Sequence, residues 1–504
     1  MKNGTTRRLF TKMSGASLGY ILISRHAVRG GQVNPAIARA MEAVKAAIPR
    51  AEADLSRPVY HFRPPAQWNN DPNGTIFYRG WYHLFYQHNP FAAKWGHMHW
   101  GHARSRDLVN WEHLPIALWP SLEKGEEHVF SGGAIPGADG RPVLFYTSIG
   151  KRDPEQWLAV TTDDELFTWE KYPGNPVLSV KSHGARKVHE WRDPFLFQEA
   201  GRTFMVTGGN LDPRGGYAAV QLYEASNKDL TAWKYLGPVF RHPDKSAWNI
   251  ECPNFFKLDG KWVMLISPHR SVEYFVGDFD LAKGRFTPQT HGVLDPGNSY
   301  ASNVMFDSGG RCILLLWGRT ETPVGMGWNN VMTLPRILTV AEDGHVRQNP
   351  IPALQSLRGA QASTANLSLN NNAVPLGSKV AGDSLEMAAD FEITGARSVG
   401  LRVRCSEDRS RGTEIAYSPE SGMVTVGGQK AFVGRDSKLS LGVFLDKRVM
   451  EIYANQGKGA IFTLVDASAR DLGVEVFARE GAASVRSLKA WSMQPARFSL
   501  ENYI

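Results

Sequence analysis

The sequence predicts an all-β protein, in which a five-bladed β-propeller is followed by a C-terminal β-sandwich and preceded by a short helix. Three observations support this prediction. The composition of 24 Phe, 15 Tyr, 15 Trp, 49 Gly and 29 Pro favours strands and tight turns over helices. One layout of two apolar runs around a glycine turn occurs five times in the middle of the chain. Beyond it, apolar and polar residues alternate over several segments, as they do in the strands of a sandwich.

Composition and charge exclude several classes of protein. The 504 residues are too many for one ordinary domain. The net charge is +8, but Lys and Arg are scattered without a basic and aromatic run, so nucleic acid is not an expected partner. Three distant cysteines predict neither a disulfide framework nor a zinc site. No stretch approaches the roughly 20 apolar residues that span a membrane. No cofactor is expected, and the sequence does not indicate an oligomeric state.

The first 30 residues predict an export signal. Arg7 and Arg8 precede a short apolar stretch, Ala16 to Ile23, which is the arrangement of a twin-arginine signal. An exported protein, periplasmic or extracellular, is therefore expected. A disordered basic tail on a cytoplasmic protein is the alternative.

The remaining chain divides into four predicted segments. Apolar residues at helical spacing between about Pro35 and Ile48 predict a helix. The segments are a helical N-terminal part at 31–56, the propeller at 57–345, a linker at 346–363 and the sandwich at 364–504.

The repeat in the middle of the chain predicts the blades. Its five units begin near residues 70, 130, 192, 250 and 302, so the period is roughly 50 to 60 residues. Each unit has a glycine in its turn, the signal of a β-hairpin. The turns are Arg79-Gly80, Asp139-Gly140, Ala200-Gly201, Asp259-Gly260 and Gly309-Gly310. Between the units, a Trp follows a Leu three residues later, and this recurring pair predicts an outer strand. The tryptophans are Trp111, Trp169 and Trp233.

Three acidic residues occupy equivalent positions in this repeat. In a propeller the same position of every blade faces the central axis, so Asp71, Asp193 and Glu251 are expected to meet there, with Ser131 and Ser302. Carboxylates that are buried close together raise each other's pKa, so such a cluster indicates a metal site or acid–base chemistry. Calcium is the metal alternative.

The residues around the acids favour a sugar over a metal. Flat rings and planar hydrogen-bonding groups suit a polyol, although each single tryptophan is also typical of a blade core. These residues are Trp68, Trp81, Trp95, Trp100, Trp191, Asn70, Gln87, His88 and Arg192.

Several motifs, in order along the chain, resemble those of glycoside hydrolase family 32, the β-fructofuranosidases, which include invertase, levanase, inulinase and sucrose-6-phosphate hydrolase. They are "WNNDPNG", "FYQHNP", "WGHMHWGHARSRDLVNWEHLPIALWP", "FSGGA", "WRDPFLF", "ECPNFF" and "MTLPRIL". The chain departs from the family pattern at Asn69, at Gly133 and in "DPGNSYASN", which lacks the family's second Asp. These departures bear on substrate choice more than on the chemistry.

The resemblance implies roles for the acids. Asp71 is expected to be the nucleophile, Glu251 the general acid/base and Asp193 the transition-state stabiliser, kept ionised by Arg192. It also implies retention, for which the carboxyl groups of Asp71 and Glu251 should lie about 5 to 5.5 Å apart. The residues expected to line the fructose subsite are Asn70, Gln87, Trp95, Phe130, Ser131, Arg192 and Trp317.

The expected function is a glycoside hydrolase that cleaves terminal β-D-fructofuranosyl bonds of sucrose or of fructans such as levan and inulin, without a metal. Three alternatives remain open. They are a propeller hydrolase acting on arabinan or xylan, a fructosyltransferase, and a propeller that binds carbohydrate without catalysis.

Overall fold

A computed structural model describes residues 34–214 and 216–503 of the chain. The predicted export signal at residues 1–30 lies outside these ranges, so it stays a prediction. Among the described residues, no helix has both the length and the apolar character needed to cross a membrane.

Four consecutive antiparallel sheets form regular propeller blades. In each, four strands that follow one another in the chain also lie side by side in the sheet. The first blade comprises β1 (Gln67–Tyr78), β2 (Trp81–Asn89), β3 (His99–Ser105) and β4 (Trp111–Leu118). The second comprises β5 (Glu126–Pro136), β6 (Pro142–Gly150), β7 (Glu155–Val160) and β8 (Glu170–Lys171). The third comprises β9 (Val188–Glu199), β10 (Arg202–Leu211), β11 (Tyr217–Ala225) and β12 (Trp233–Arg241). The fourth comprises β13 (Glu251–Leu258), β14 (Lys261–Ser267), β15 (Val272–Asp280) and β16 (Arg285–Asp295).

The blade count is four, not the predicted five. The fifth repeat unit forms a sheet, but its strands are not consecutive. β17 (Ser299–Phe306) and β18 (Cys312–Gly318) are followed by the short strands β19 (Trp328–Asn329) and β20 (Val331–Met332), and then by β21 (Arg336–Val340) and β22 (Val346–Pro350). Because β19 pairs in parallel with β1 of the first blade, the chain leaves the fifth sheet before it returns to complete it. The sequence period did not reveal this interruption.

The inner strands β1, β5, β9, β13 and β17 contact one another in a closed ring around the axis. The predicted glycine turns join each inner strand to its neighbour. The turns at Arg79-Gly80, Ala200-Gly201 and Asp259-Gly260 have two residues, and both residues of each have positive φ. That conformation matches the twist of the flanking strands. The predicted tryptophans also lie at the outer strands, since Trp111 and Trp233 begin β4 and β12 and Trp169 precedes β8.

The predicted helix is present and is longer than expected. It is α1 (Pro35–Glu52), and it begins where the Asn34 side chain accepts a hydrogen bond from the amide of Ala36. Its buried face consists of small residues such as Ala40 and Val44, which pack against the β19 residue Trp328 and against apolar residues of the C-terminal part. The helix therefore contributes to the core shared by the two parts of the protein.

The C-terminal part is a sandwich-like ten-stranded sheet. Its long strand β32 (Gly473–Met493) pairs with one set of strands through 473–479 and with another set through 483–492, and a single apolar core lies between the two sets. The strands are β23 (Arg358–Pro375), β24 (Ser384–Ile393), β25 (Ser398–Cys405), β26 (Thr413–Ser418), β27 (Met423–Val426), β28 (Gln429–Phe432), β29 (Lys438–Asp446), β30 (Val449–Ala454), β31 (Gly459–Leu464) and β32 (Gly473–Met493).

The segment bounds differ from the predicted ones at two places. The predicted propeller end at 345 divides the hairpin of β21 and β22, whose strands pair from Arg336 to Pro350. At the other end, β33 (Phe498–Ser499) leaves the sandwich and pairs in parallel with β4 of the first blade. Both differences come from strand pairing, which the alternation of residue types does not specify.

A buried ionic network connects the fifth sheet to the sandwich. The Arg336 guanidinium of β21 donates to the carboxylates of Asp295 and Glu451, with both Nη2–oxygen distances 2.8 Å. His61 lies between Asp446, 2.9 Å from its Nδ1, and Glu451, 3.2 Å from its Nε2. All five side chains are fully buried. Burial opposes ionisation of Glu451, but Arg336 and His61 lower its pKa to about 2.

Removal of the central cation of this network should destabilise the protein strongly. Arg336→Met leaves the buried carboxylate of Asp295 without a cation and that of Glu451 with His61 alone, which costs about 3 to 5 kcal/mol. Denaturant unfolding at pH 7 measures the loss. Arg397→Met is the control, because Arg397 pairs with glutamates only at the surface, and it should cost less than about 1 kcal/mol. Equal losses in the two variants would contradict the role assigned to the network.

Candidate active site

A β-bulge recurs at the same level of all five inner strands. At residues 69–72, 129–132, 192–195, 251–254 and 300–302, the inner strand has one more residue than the strand paired with it. Bulges redirect side chains and are frequent beside active sites. Asp71, Ser131 and Asp193 lie within these segments and Glu251 opens its segment, so the bulges present the predicted residues at the axis.

Hydrogen bonds between neighbouring sheets hold the bulges in register. The amide of Asp193 donates to Thr147 Oγ1 of the second blade at 2.9 Å, and the amide of Cys252 in the fourth blade donates to Asp193 Oδ2 at 2.9 Å. Asp193 and Cys252 both have positive φ, a strained conformation for residues other than glycine. The hydrogen bonds from adjacent blades hold both residues in this strained conformation.

Asp71 is surrounded by neutral hydrogen-bond donors. Ser131 Oγ donates to its Oδ2 at 2.5 Å and Asn70 Nδ2 to its Oδ1 at 3.0 Å. Asn70 is itself oriented by Gln87 and by the Trp68 indole, whose Nε1 donates to Asn70 Oδ1 at 2.7 Å. Burial raises the pKa of Asp71 above its ordinary value, although the bonds from Ser131 and Asn70 work in the opposite direction.

Glu251 has charged and phenolic partners instead. Arg192 Nη2 donates to its Oε1 at 2.6 Å, and the Tyr300 hydroxyl lies 2.6 Å from its Oε2. Burial and the charge of Glu251 raise the pKa of Tyr300 well above its usual range, so the phenol keeps its proton and can donate it in a hydrogen bond. His269 Nε2 lies 3.5 Å from Oε2 of the same carboxylate.

Asp193 differs from the expectation that Arg192 keeps it ionised. The Arg192 guanidinium bonds to Glu251 and Glu190, and the carboxylate of Asp193 accepts from the Cys252 amide. Burial raises the pKa of Asp193 to about 7, and the charge of Arg192 only partly opposes this shift. The adjacent position in the sequence did not predict the partner, because neighbouring residues of a bulged strand point in different directions.

Cys252 lies between two of the acids. Its Sγ is 3.5 Å from Asp71 Oδ2 and 3.6 Å from Asp193 Oδ2. Burial, together with the neighbouring carboxylates, raises the pKa of the thiol well above its ordinary value, so Cys252 is a neutral weak donor. These contacts bring Asp71, Asp193 and Glu251 to one place, since Glu251 immediately precedes Cys252.

Aromatic residues form the wall around the acids. Trp317 contacts Trp68 and Tyr300, with ring centroids 5.9 and 6.4 Å apart. Trp95 is 50% exposed and lies 6.1 Å from the Phe130 ring. In residues 34–214 and 216–503, no group of three or more His, Cys, Asp or Glu side chains is arranged to hold a metal ion.

Comparison with known families identifies the chain. The N-terminal domain of glycosyl hydrolases family 32 matches residues 61–350, and the C-terminal domain of that family matches residues 353–492. This chain is a glycosyl hydrolase of family 32. The boundary between the two matches follows the last strand of the fifth sheet, β22.

Relatives of this family 32 hydrolase span most of its length. It is 31% identical to the sucrose-6-phosphate hydrolase of Zymomonas mobilis over 92% of this chain and 97% of the relative. It is 30% identical to the levanase of Bacillus subtilis over 87% of this chain and 71% of the relative.

Solved structures of the family share the fold. Fructan 1-exohydrolase IIa of Cichorium intybus has a TM-score of 0.79 at 25% identity, over 88% of this chain and 98% of that one. The β-fructofuranosidase of Bombyx mori, solved as a mutant with sucrose, has a TM-score of 0.74 at 27% identity, over 91% of this chain and 97% of that one.

The fold of this hydrolase brings together most of the predicted site residues. Asn70, Gln87, Ser131 and Arg192 connect through hydrogen bonds to Asp71 or Glu251. Trp317 contacts the Trp68 ring, whereas Trp95 and Phe130 contact each other. Of the surrounding tryptophans, Trp100 and Trp191 are fully buried in blade cores, whereas Trp81 packs under Arg104 and Arg106.

Two residues of the site, Tyr300 and His269, were missing from the predicted set, and both contact Glu251. Trp68, which the sequence placed among the rings around the acids, orients Asn70. Tyr300 opens the bulge of the fifth sheet as Glu251 opens that of the fourth, so its place in the repeat is a signal that could have identified it. His269 follows β14, and no sequence period marks it.

Gly133, which departs from the family pattern, lies where sheets two and three approach closely. A Cβ at this position would be 3.1 Å from the carbonyl oxygen of Pro194 and 3.4 Å from a Leu196 methyl group. A larger residue here would press on the strand that carries Asp193. The departure therefore bears on the spacing between the strands that carry Ser131 and Asp193.

The raised pKa of Asp193 predicts a pH-dependent stability. A carboxyl whose pKa is about 7 in the native state and 3.8 ordinarily stabilises the fold below about pH 4, and this contribution disappears as the pH rises through 7. Asp193→Asn should therefore gain stability relative to the wild type between pH 4 and pH 8, by up to about 1.4 kcal/mol per pH unit. Denaturant unfolding across this range measures the gain.

Asp229→Asn is the matched control, because Asp229 is exposed and its substitution should leave the pH profile unchanged. A stability difference between Asp193→Asn and the wild type that stays constant from pH 4 to pH 8 would contradict the raised pKa.

Proposed function

We propose that this family 32 hydrolase releases fructose from sucrose or fructans by cleaving terminal β-D-fructofuranosyl bonds with retention. The observation that carries the proposal is that Asp71 and Glu251 both lie beside Cys252 but have unlike partners. Neutral hydrogen-bond donors contact the Asp71 carboxylate, whereas a guanidinium and a phenol contact that of Glu251. The similarity to relatives named levanase, sucrose-6-phosphate hydrolase and fructan 1-exohydrolase supports fructosides as the substrate class.

In the proposed first step, Asp71 attacks the anomeric carbon of the fructosyl group while Glu251 gives its proton to the leaving oxygen. The bond between the anomeric carbon and the leaving oxygen breaks, and an ester forms with Asp71. Ser131 and Asn70 hold the Asp71 carboxylate in place, with one hydrogen bond to each of its oxygens. Tyr300 and Arg192 hold the Glu251 carboxyl group by hydrogen bonds.

In the second step, Glu251 removes a proton from water, and the resulting attack on the anomeric carbon breaks the ester and regenerates Asp71. Asp193 is proposed to bind fructose hydroxyls. With a pKa of about 7, its carboxyl can accept a hydrogen bond when ionised and donate one when protonated. If a sugar replaced water in this step, the protein would act as a fructosyltransferase.

Substitution of the two reacting acids should abolish fructose release. Asp71→Asn removes the nucleophile and should lower kcat/KM by about 10⁴-fold or more, and Glu251→Gln removes the acid and should lower it by about 10²- to 10⁴-fold. Fructose released from sucrose, levan and inulin is measured beside an arabinan control and the surface variant Asp229→Asn. Arabinan cleavage without fructose release would favour the arabinan-active alternative, and undiminished activity of Asp71→Asn would exclude the mechanism.

Retention predicts the product formed in the presence of methanol. Two successive displacements at the anomeric carbon return the β configuration, so methanol in place of water should yield methyl β-D-fructofuranoside. Nuclear magnetic resonance spectroscopy of the products identifies the anomer. The α anomer as the first product would indicate a single displacement and therefore inversion.

A further inference from the structure

An exposed aromatic pair lies beside Glu251 on the rim of the site. Trp248 is three residues before Glu251, and its side chain is 41% exposed. The His269 ring packs on it, with centroids 4.6 Å apart and planes inclined by 33°. His269 Nε2 in turn lies 3.5 Å from Glu251 Oε2. Trp248 is therefore separated by one side chain, that of His269, from the carboxyl group proposed to protonate the leaving group.

Strand pairing places both residues at the same end of the fourth blade. Glu251 opens the inner strand β13 and pairs with Ser267, the last residue of β14. Trp248 comes just before the first strand and His269 just after the second, so both loops lie at the end where the acids meet.

The segment that carries Trp248 is anchored on both sides. Ala247 and Ile250 are buried, and buried Asn249 accepts a hydrogen bond from Asn210 at 3.1 Å. Trp248 is the exposed residue of this otherwise buried run. A single exposed aromatic residue is common on protein surfaces, so its position beside Glu251 and its contact with His269 carry the argument.

Resting on the proposed function, we infer that Trp248, supported by His269, is the stacking surface for the sugar ring of the leaving group. The indole offers a flat apolar face, which suits the C–H face of a furanose or pyranose ring. The His269 amide donates to the Tyr300 hydroxyl at 3.0 Å, so the support of this surface is connected to the hydrogen bonds of Glu251. Trp248 thus favours substrates whose leaving group is a sugar over those whose leaving group is small.

The test compares a substrate whose leaving group is a ring with one that lacks it. Sucrose has a glucosyl leaving group, whereas methyl β-D-fructofuranoside releases only methanol. Trp248→Ala should lower kcat/KM for sucrose by about five- to tenfold, mostly through KM, and leave kcat/KM for the methyl fructoside unchanged. Trp248→Phe should keep most of the activity on sucrose, because it keeps an aromatic face.

Phe432→Ala is the control, since Phe432 is an exposed aromatic residue of the sandwich, and it should change neither substrate's kcat/KM. An equal loss on both substrates would mean that Trp248 acts on Glu251 or on folding, and no loss on sucrose would mean that it does not bind the leaving group. Either result overturns the inference. The proposed function still holds in both cases if the wild-type protein releases fructose. A wild-type protein that releases fructose from neither substrate would overturn both.

Discussion

A closed ring of hydrogen bonds between neighbouring sheets is the constraint on which the candidate site depends. The bulge of each inner strand interrupts its own ladder, and groups of the next sheet provide the missing partners. Around the axis, the bonds are Gly132 amide to Asn73 Oδ1, Asp193 amide to Thr147 Oγ1, Cys252 amide to Asp193 Oδ2, Asn254 Nδ2 to the Ser302 carbonyl, and Thr75 Oγ1 to Asn303 Oδ1. Since an acid on one sheet is positioned by another sheet, the acids meet only when the ring is closed.

Within this ring, three carboxylates of similar intrinsic acidity have unlike surroundings. Asp71 accepts from neutral donors, Glu251 contacts the Arg192 guanidinium and the Tyr300 phenol, and Asp193 accepts from the Cys252 amide. Burial raises the pKa of Asp71 and of Asp193, to about 7 for the latter. Different partners around chemically similar acids are what a displacement mechanism requires, because one group attacks while another transfers a proton.

The sandwich contributes to this arrangement through the buried ionic network. Asp295 accepts hydrogen bonds from the amides of Gly297 and Phe462, so the turn before β17 is fixed to the sandwich strand β31. Tyr300 is the second residue of β17 and contacts Glu251. The same carboxylate of Asp295 also pairs with Arg336. The position of Tyr300 in the site is therefore linked to the contact between the propeller and the sandwich.

The sequence alone determined the β class, the repeat, the hairpin turns, the family and the three acids, because each is encoded locally by residue type and spacing. Asp71, Asp193 and Glu251 could be predicted from their equivalent places in the repeat. Tertiary structure decided the interruption of the fifth sheet by β19, the pairing of Arg192 with Glu251 in place of Asp193, and the contacts of His269 and Tyr300 with Glu251. These depend on which strands pair and on how a bulge turns each side chain, and both are settled by packing between residues far apart in the chain.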